Sequence, residues 1–468
     1  MLDDDEQFEH ELSRFENMID SGESFYFEPD SLEDIIDHYI VKNKVKNAMR
    51  AIDFGIELHP SVTFFHLRKA QIYSTSGKLK ESLLILQGLE KIEPENSEVF
   101  ITIASIFSQL RDHSKSIKYY EKALENERVS GNLDDESFDI MLDLALEYEN
   151  NNDFKGAISI LEMLLTISPD NESAIYEIAY CYEKIGDFDK CIEYYTQYID
   201  NNPYSFTAWY NLGNIYFLKK NIEKALWAYD YAIIINENFS SAYFNMGNTY
   251  MQVENYDEAI AAYKKCLEID AEDDLATCYL GEAYERINEL ELALINYEKS
   301  IQLNPQLSDG YIGIGIIKDL QDKTAQAIPY FQKAISIHAD NDNYYLVLGE
   351  ALFKLERYPE AELQLEKSLQ FNVDSNEAIE LLAKIKYNYN VLEAIDFLVQ
   401  SKEKITLSLA NNILLLKYYW EIGEQTEALL IFKAAYSKDS KKTIEIIEDQ
   451  FPEYKQITNF ITIINNHG

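Results

Sequence analysis

Glycine and alanine recur at a fixed interval of 34 residues through the middle of this 468-residue chain. Gly213 is followed by Gly247, Gly281, Gly315 and Gly349, and Ala225 by Ala259, Ala293, Ala327 and Ala361. A period of that length marks one supersecondary unit repeated, each copy too small to bury its own apolar face and stacked on its neighbours to do so. One compact core would be unusual at this length. The period therefore selects a quasi-one-dimensional stack.

The prolines set the register independently. Pro60 to Pro94 and Pro169 to Pro203 are 34 residues each, and Pro203 to Pro305 is three periods; Pro94 to Pro169 is two periods plus seven. A polar seven-residue insertion at 131–137, expected as an exposed loop, absorbs the excess. The units are then 29–62, 63–96, 97–130, 138–171, 172–205, 206–239, 240–273, 274–307, 308–341 and 342–375, followed by a degenerate one at 376–408, where Ala394 comes one residue early, and a clearer one at 409–442. Residues 1–28 read as an acidic helix with Phe8, Leu12, Phe15 and Ile19 on one face, a cap for the first unit. Residues 443–468 read as two short capping helices broken at Pro452, with Ile446, Ile447 and Phe451 before it and Ile457, Phe460, Ile461 and Ile464 after.

Within 206–239, Trp209, Leu212 and Tyr216 are spaced three and four apart, as are Ala225, Tyr229 and Ala232. That spacing predicts two amphipathic helices separated by Lys219-Lys220-Asn221. The Asn221 slot holds Asp153, Asp187 and Asn255 in other units, residues suited to cap a helix N-terminus. Small residues at Gly213 and Ala225 are expected where two helix axes cross closely. Pro329 falls inside a second helix and predicts a kink. Lys318, Leu352 and Lys386 replace the aromatic found at Tyr148, Tyr182, Tyr216, Tyr250 and Tyr284, which predicts looser packing toward the C-terminus.

The run AWYNLGNIY at 208–216, with Ala225, Tyr229 and Ala232 behind it, resembles the tetratricopeptide repeat, over about twelve repeats in 29–442. The resemblance implies an all-α solenoid of tandem 34-residue helix-turn-helix repeats forming a right-handed superhelix, with the first helix of each pair lining a concave groove.

Net charge is −41, from 82 acids against 41 bases, which opposes any phosphate backbone and favours a basic partner. Nucleic acid is excluded on that ground. The acidic start MLDDDEQFEHEL is unlike a secretory signal and no stretch is apolar enough to span a membrane, so a cytoplasmic protein without membrane attachment is expected. Cys181, Cys191, Cys266 and Cys278 show no metal-type spacing, and Cys191 and Cys266 fall in alanine slots, as small buried thiols do. The seven histidines are scattered, and Gly313 with Gly315 lies inside a helix rather than in a phosphate loop. No catalytic residue, metal or cofactor is expected.

Function falls to the first-helix positions that the buried stripe does not use. By the resemblance these face the groove: Tyr210, Asn211, Asn214 and Phe217 in one unit, Phe244, Asn245, Asn248 and Met251 in the next, with Tyr176 and Tyr180 before them and Tyr279 after. This is a neutral floor of aromatics and amides with acidic margins at Glu177, Glu183, Glu282 and Glu285. Amides can donate to and accept from an extended peptide, and rings can hold its side chains. The same residues can equally be default packing of the repeat. Asn214 and Asn245 match two asparagines of the family's carboxylate clamp, but Tyr210, Leu275 and Tyr279 stand where its basic residues would be. The chain reads as a non-enzymatic scaffold or adaptor that binds a peptide or helical segment of a protein partner. A peptide- or effector-responsive switch, or a targeting subunit for an enzyme supplied in trans, is the alternative, and the oily C-terminal tail permits a homodimer.

Overall fold

The computed structural model describes residues 4–21, 25–131, 135–457, 460 and 464. Among them the regular elements are twenty-six α-helices and one short 3-10 helix, with no strand: the fold is an all-α solenoid of helical hairpins. It divides into two compact units, Met1–Ala228 and Tyr229–Gly468.

In the first unit, α1 (Asp4–Ser21) precedes the hairpins α2 (Pro29–Val41) with α3 (Val45–Leu58), α4 (Thr63–Thr75) with α5 (Leu79–Ile92), α6 (Ser97–Gln109) with α7 (His113–Ser130), α8 (Asp135–Asn150) with α9 (Phe154–Ile167) and α10 (Glu172–Lys184) with α11 (Phe188–Asn201). Then come α12 (Phe206–Leu218) and the start of α13 (Ile222–Ile235). The second unit continues with α14 (Ser240–Gln252) and α15 (Tyr256–Ile269), α16 (Asp274–Arg286) and α17 (Leu290–Leu303), α18 (Ser308–Leu320) and α19 (Thr324–Ile337), and α20 (Asp342–Lys354) and α21 (Tyr358–Phe371). It closes with α22 (Asn376–Tyr389) and α23 (Val391–Lys404), α24 (Leu409–Glu421) and α25 (Gln425–Lys438), α26 (Ser440–Gln450) and the 3-10 helix Pro452–Gln456. First helices of successive hairpins touch directly, as α4 does α6, α8 does α10 and α16 does α18.

Eleven hairpins turn on one residue in the left-handed region, with φ between 54° and 89°: Asn43, Gly77, Arg111, Asn152, Gly186 and Lys220 in the first unit, and Glu254, Asn288, Asp322, Glu356 and Gly423 in the second. Around Glu254 the Asn255 N–H reaches the Tyr250 carbonyl at 2.9 Å and the Glu254 N–H reaches Met251 at 3.1 Å, the bond pair that satisfies the last carbonyls of a helix. The hairpin of α22 and α23 has lost one turn residue. Asn390 both ends α22 and caps α23 with extended backbone, which is why Ala394 arrives one residue early.

The glycine slot has a different cause from close helix axes. A Cβ on Gly247 would lie too close to the ring of Tyr263 for contact, one on Gly315 too close to that of Phe331, and one on Gly349 2.7 Å from Leu365, again too close. The residue sixteen positions on, from the second helix, fills the space that each glycine leaves. Tyr297 lies 3.0 Å from the corresponding position on Gly281 and presses more closely on Gly313, so Gly313 is a cradle for a ring.

The side chains of Asn221, Asp153 and Asp187 cap their helices, whereas Asn255 makes no side-chain cap. Pro60, Pro94, Pro169, Pro203 and Pro305 each stand two residues past the end of a second helix, and α19 runs on through Pro329. Two of the three lost aromatic slots are filled: Leu352 is buried, and Lys386 spans from Glu362, at 2.7 Å, to the face of Phe397. Of the insertion 131–137, residues 132–134 lie outside the described residues, but 135–137 are already helical and Ser137 is buried, so the loop is shorter than expected. On α1 the buried face is Leu12, Phe15 and Met18 against Leu32, Ile35 and Tyr39, while Ile19 is exposed. At the other end Ile447, Phe451, Tyr454 and Phe460 bury against Ile413, Leu416 and Phe432; Ile461 lies outside the described residues.

Candidate functional site

All eleven groove candidates keep some solvent exposure, while Trp209, Leu212, Gly213, Tyr216, Ala225, Tyr229 and Ala232, which recur because hairpins must pack, are buried. Exposure thus separates the two sets. What each candidate does with its polar atoms differs.

In the first unit Tyr176 and Tyr180 lie on α10, and Tyr210, Asn211, Asn214 and Phe217 on α12. The Tyr176 phenol sits 2.6 Å from Thr207 Oγ1 and donates to Glu172 Oε1 at 2.9 Å, so it ties α10 to the start of α12. Burial raises its pKa. Tyr180 is 41% exposed, with the Lys184 ammonium 4.9 Å over its ring. Tyr210 and Asn214 have contacts of their own. Asn211 is half-buried and has no hydrogen-bond partner among the described residues, which leaves a complete amide, two donors and one acceptor oxygen, for a ligand.

In the second unit Phe244, Asn245, Asn248 and Met251 lie on α14 and Tyr279 on α16. Three rings cluster here: Phe244 is 5.7 Å from Tyr279 and 6.0 Å from Tyr263, and Tyr263 stacks on Tyr279 at 6.2 Å. The Tyr263 phenol donates to Asn248 Oδ1 at 2.7 Å. Asn248 and Tyr279 therefore support the hairpin stack from a surface position, as default packing would have them do. At the margin Glu282 accepts from Arg286 at 3.2 Å, and Glu285 accepts the Tyr297 phenol at 2.8 Å. Burial raises the pKa of Glu285.

Sequence reasoning missed a run of hydrogen-bonded acids on α8, of which Glu147 and Glu149 are buried. Glu147, 3% exposed, accepts from Ser108 Oγ at 2.5 Å and lies 3.0 Å from His113 Nδ1. Asp143 accepts the Tyr120 phenol at 3.1 Å, and Glu149 accepts the Cys181 thiol at 3.2 Å. Burial is the leading cause that holds Asp143, Glu149 and, on α10, Glu177 above the ordinary carboxylate range, and no cation opposes it at any of the three. The spacing of Asp139, Asp143 and Glu147 along one helix face was visible, but among 82 acids it carried no distinction.

No group of His, Cys, Asp and Glu among the described residues could hold a metal ion. Burial pushes the thiols of Cys191, Cys266 and Cys278 up to about 12 and raises that of Cys181, so the four stay protonated at neutral pH and are poor nucleophiles. No described helix is long and apolar enough to cross a membrane.

Family models described as tetratricopeptide repeat match residues 97–129, 173–205, 240–273, 278–307 and 320–385, and one described as TPR repeat matches 213–254. No curated protein matches the chain. Similar solved structures include the Cut9–Hcn1 hetero-tetramer of the APC/C, at 15% identity and TM-score 0.45 over 88% of this chain and 94% of that one. A tetratricopeptide repeat protein from Parabacteroides merdae matches at 19% identity and TM-score 0.44, over 53% of this chain and 98% of its own. The MamA protein matches at 26% identity and TM-score 0.32, over 36% of this chain and 91% of its own. With the 34-residue register, the hairpin fold and six matched stretches in agreement, the chain is a tetratricopeptide repeat protein.

Proposed function

We propose that the protein is a non-enzymatic interaction scaffold of the cytoplasm that holds an extended or helical segment of a protein partner against the faces of its first helices. The observation that carries this is the exposure split: the residues left over once hairpin packing is accounted for are the accessible ones, and they are aromatic and amide side chains. Asn211 contributes most, because its amide is unengaged by any described residue; Tyr180 and Phe217 in the same unit, and Met251 in the second unit, offer accessible side chains for apolar contact. Half-buried Glu177 and buried Glu149, held without a cation, favour a partner that brings a basic side chain. Among the described residues of the C-terminal tail, Ile447, Phe451, Tyr454 and Phe460 are buried within their own unit and Ile446, Ile457 and Ile464 partly so, and no second copy is needed to cover them.

A photo-crosslinking amino acid placed at Phe217 tests this, with the same group at Leu363, an exposed position on the second helix α21, as the control. Crosslinks to a protein partner are expected from position 217 and not from 363, and Asn211→Ala should lower their yield. Equal crosslinking from both positions would sink the assignment.

A further inference from the structure

The net charge of −41 is unevenly spread. Residues 384–468 carry ten lysines against eleven acids, so nearly all of the excess lies before them. Within that near-neutral end is a cavity of about 470 Å³, built where the ends of α23 and α25 meet the starts of α24 and α26. Its apolar surface comes from Leu407, Leu409, Ile431 and Ala435. Lys402, Lys438 and Lys442 also line it, and none of the three ammoniums makes an ion pair or a side-chain hydrogen bond with a described residue.

That is an unusual arrangement in a chain with twice as many acids as bases. On the same stretch Lys384 and Lys386 each hold a glutamate at 2.7 Å. The single carboxylate among the described residues that line the cavity, Asp439, accepts the Lys442 backbone N–H through Oδ1 at 3.0 Å as a helix cap. Asn412 donates its amide to the Ser408 carbonyl at 2.9 Å. Three cations face one carboxylate across an apolar floor, and small-molecule sites combine such a floor with a few convergent polar groups.

We propose that this cavity binds an anionic amphiphile: a carboxylate head placed among Lys402, Lys438 and Lys442, with an aliphatic body against Leu407, Leu409 and Ile431. Ammoniums on flexible stems hold a compact anion as point charges, and the apolar walls gain from every methylene covered. The occupant is a free soluble molecule. The site is independent of the first-helix faces and stands or falls without them.

Calorimetric titration of the full chain with octanoate tests the proposal. Saturable binding is expected, with acetate (head only) and octylammonium (same body, opposite charge) at least about tenfold weaker. The triple variant K402Q/K438Q/K442Q, at three exposed positions, should lose about tenfold or more with its thermal unfolding unchanged. Ala434→Trp, also at an exposed position on the cavity, should block the site by filling it. Absence of saturable octanoate binding overturns the proposal, as does unaltered affinity in the triple variant or acetate binding as tightly as octanoate. Sedimentation with phosphatidylglycerol vesicles, or capture of an acidic peptide, when octanoate itself fails to bind also overturns it.

Discussion

The fully buried Tyr263 donates its phenol proton to Oδ1 of Asn248 at 2.7 Å, so an asparagine on the accessible face of α14 completes the interior of its own hairpin. Asn248→Ala would leave that phenol without an acceptor, and a loss of about 1–3 kcal/mol is expected from urea unfolding midpoints. Asn248→Asp retains an acceptor oxygen and should recover most of it. Asn211→Ala removes a side chain with no hydrogen-bond partner among the described residues and should stay within about 0.5 kcal/mol of the wild type. Equal losses at the two asparagines would refute this division of roles.

Opposite effects are expected from one substitution at two glycines. At Gly247 a methyl group meets the Tyr263 ring, and the ring cannot retreat without losing its bond to Asn248, so Gly247→Ala should cost about 1–3 kcal/mol. Gly88 lies exposed inside α5 with nothing within 4 Å of the new methyl. Gly88→Ala should therefore stabilise by about 0.5–1 kcal/mol, since alanine restricts the unfolded chain and favours the helix. Thermal unfolding of the pair reads both signs.

Backbone strain at the hairpin turns gives a third comparison. Glu254 sits at φ 60° and Gly186 at φ 80°, equivalent places in their hairpins. A side chain in the left-handed region costs about 1–2 kcal/mol, partly offset for glycine by its greater freedom when unfolded. Glu254→Gly should raise the unfolding midpoint by up to about 1 kcal/mol, and Gly186→Ala should lower stability by about 1 kcal/mol or more. A fall with Glu254→Gly would show that its side chain makes a contact that outweighs the strain.

The turns show where legibility stopped. The repeat register and the helical hairpin could be read because Gly213, Ala225 and their successors mark volume, and volume recurs wherever the same two helices meet. The left-handed turn residue could not: glycine, asparagine, aspartate, arginine, lysine and glutamate all fill it, because the two helices fix the backbone there whatever residue it carries. The candidate site was legible as a set of positions and illegible as chemistry. Asn211 and Asn248 look alike in sequence, yet one amide is unengaged and the other is bonded to Tyr263, which depends on the ring that Gly247 admits. Likewise Glu147 and Glu149 are two acids among 82 until Ser108, His113 and Cys181 are seen around them.

Glu177 is held above the ordinary carboxylate value by burial alone, and its charge adds to the raised value at Glu149. Both groups bind a proton more tightly in the folded chain than in the unfolded one. Their contribution to stability is therefore fully present below the unfolded value, near 4.5, and is lost as pH rises through the raised native values. Glu177→Gln keeps a neutral group in the same space. It should match the wild type near pH 4, exceed it at pH 7, and lower the native pKa of Glu149, measurable by carboxyl-detected NMR. A basic peptide bound at this face would supply the missing cation and act in the same direction. Its stabilising effect on the wild type should be larger at pH 7 than at pH 4, because only the ionised carboxylates attract it, and should shrink in the Glu177→Gln variant. A peptide effect that is equal at both pH values would place its contacts elsewhere.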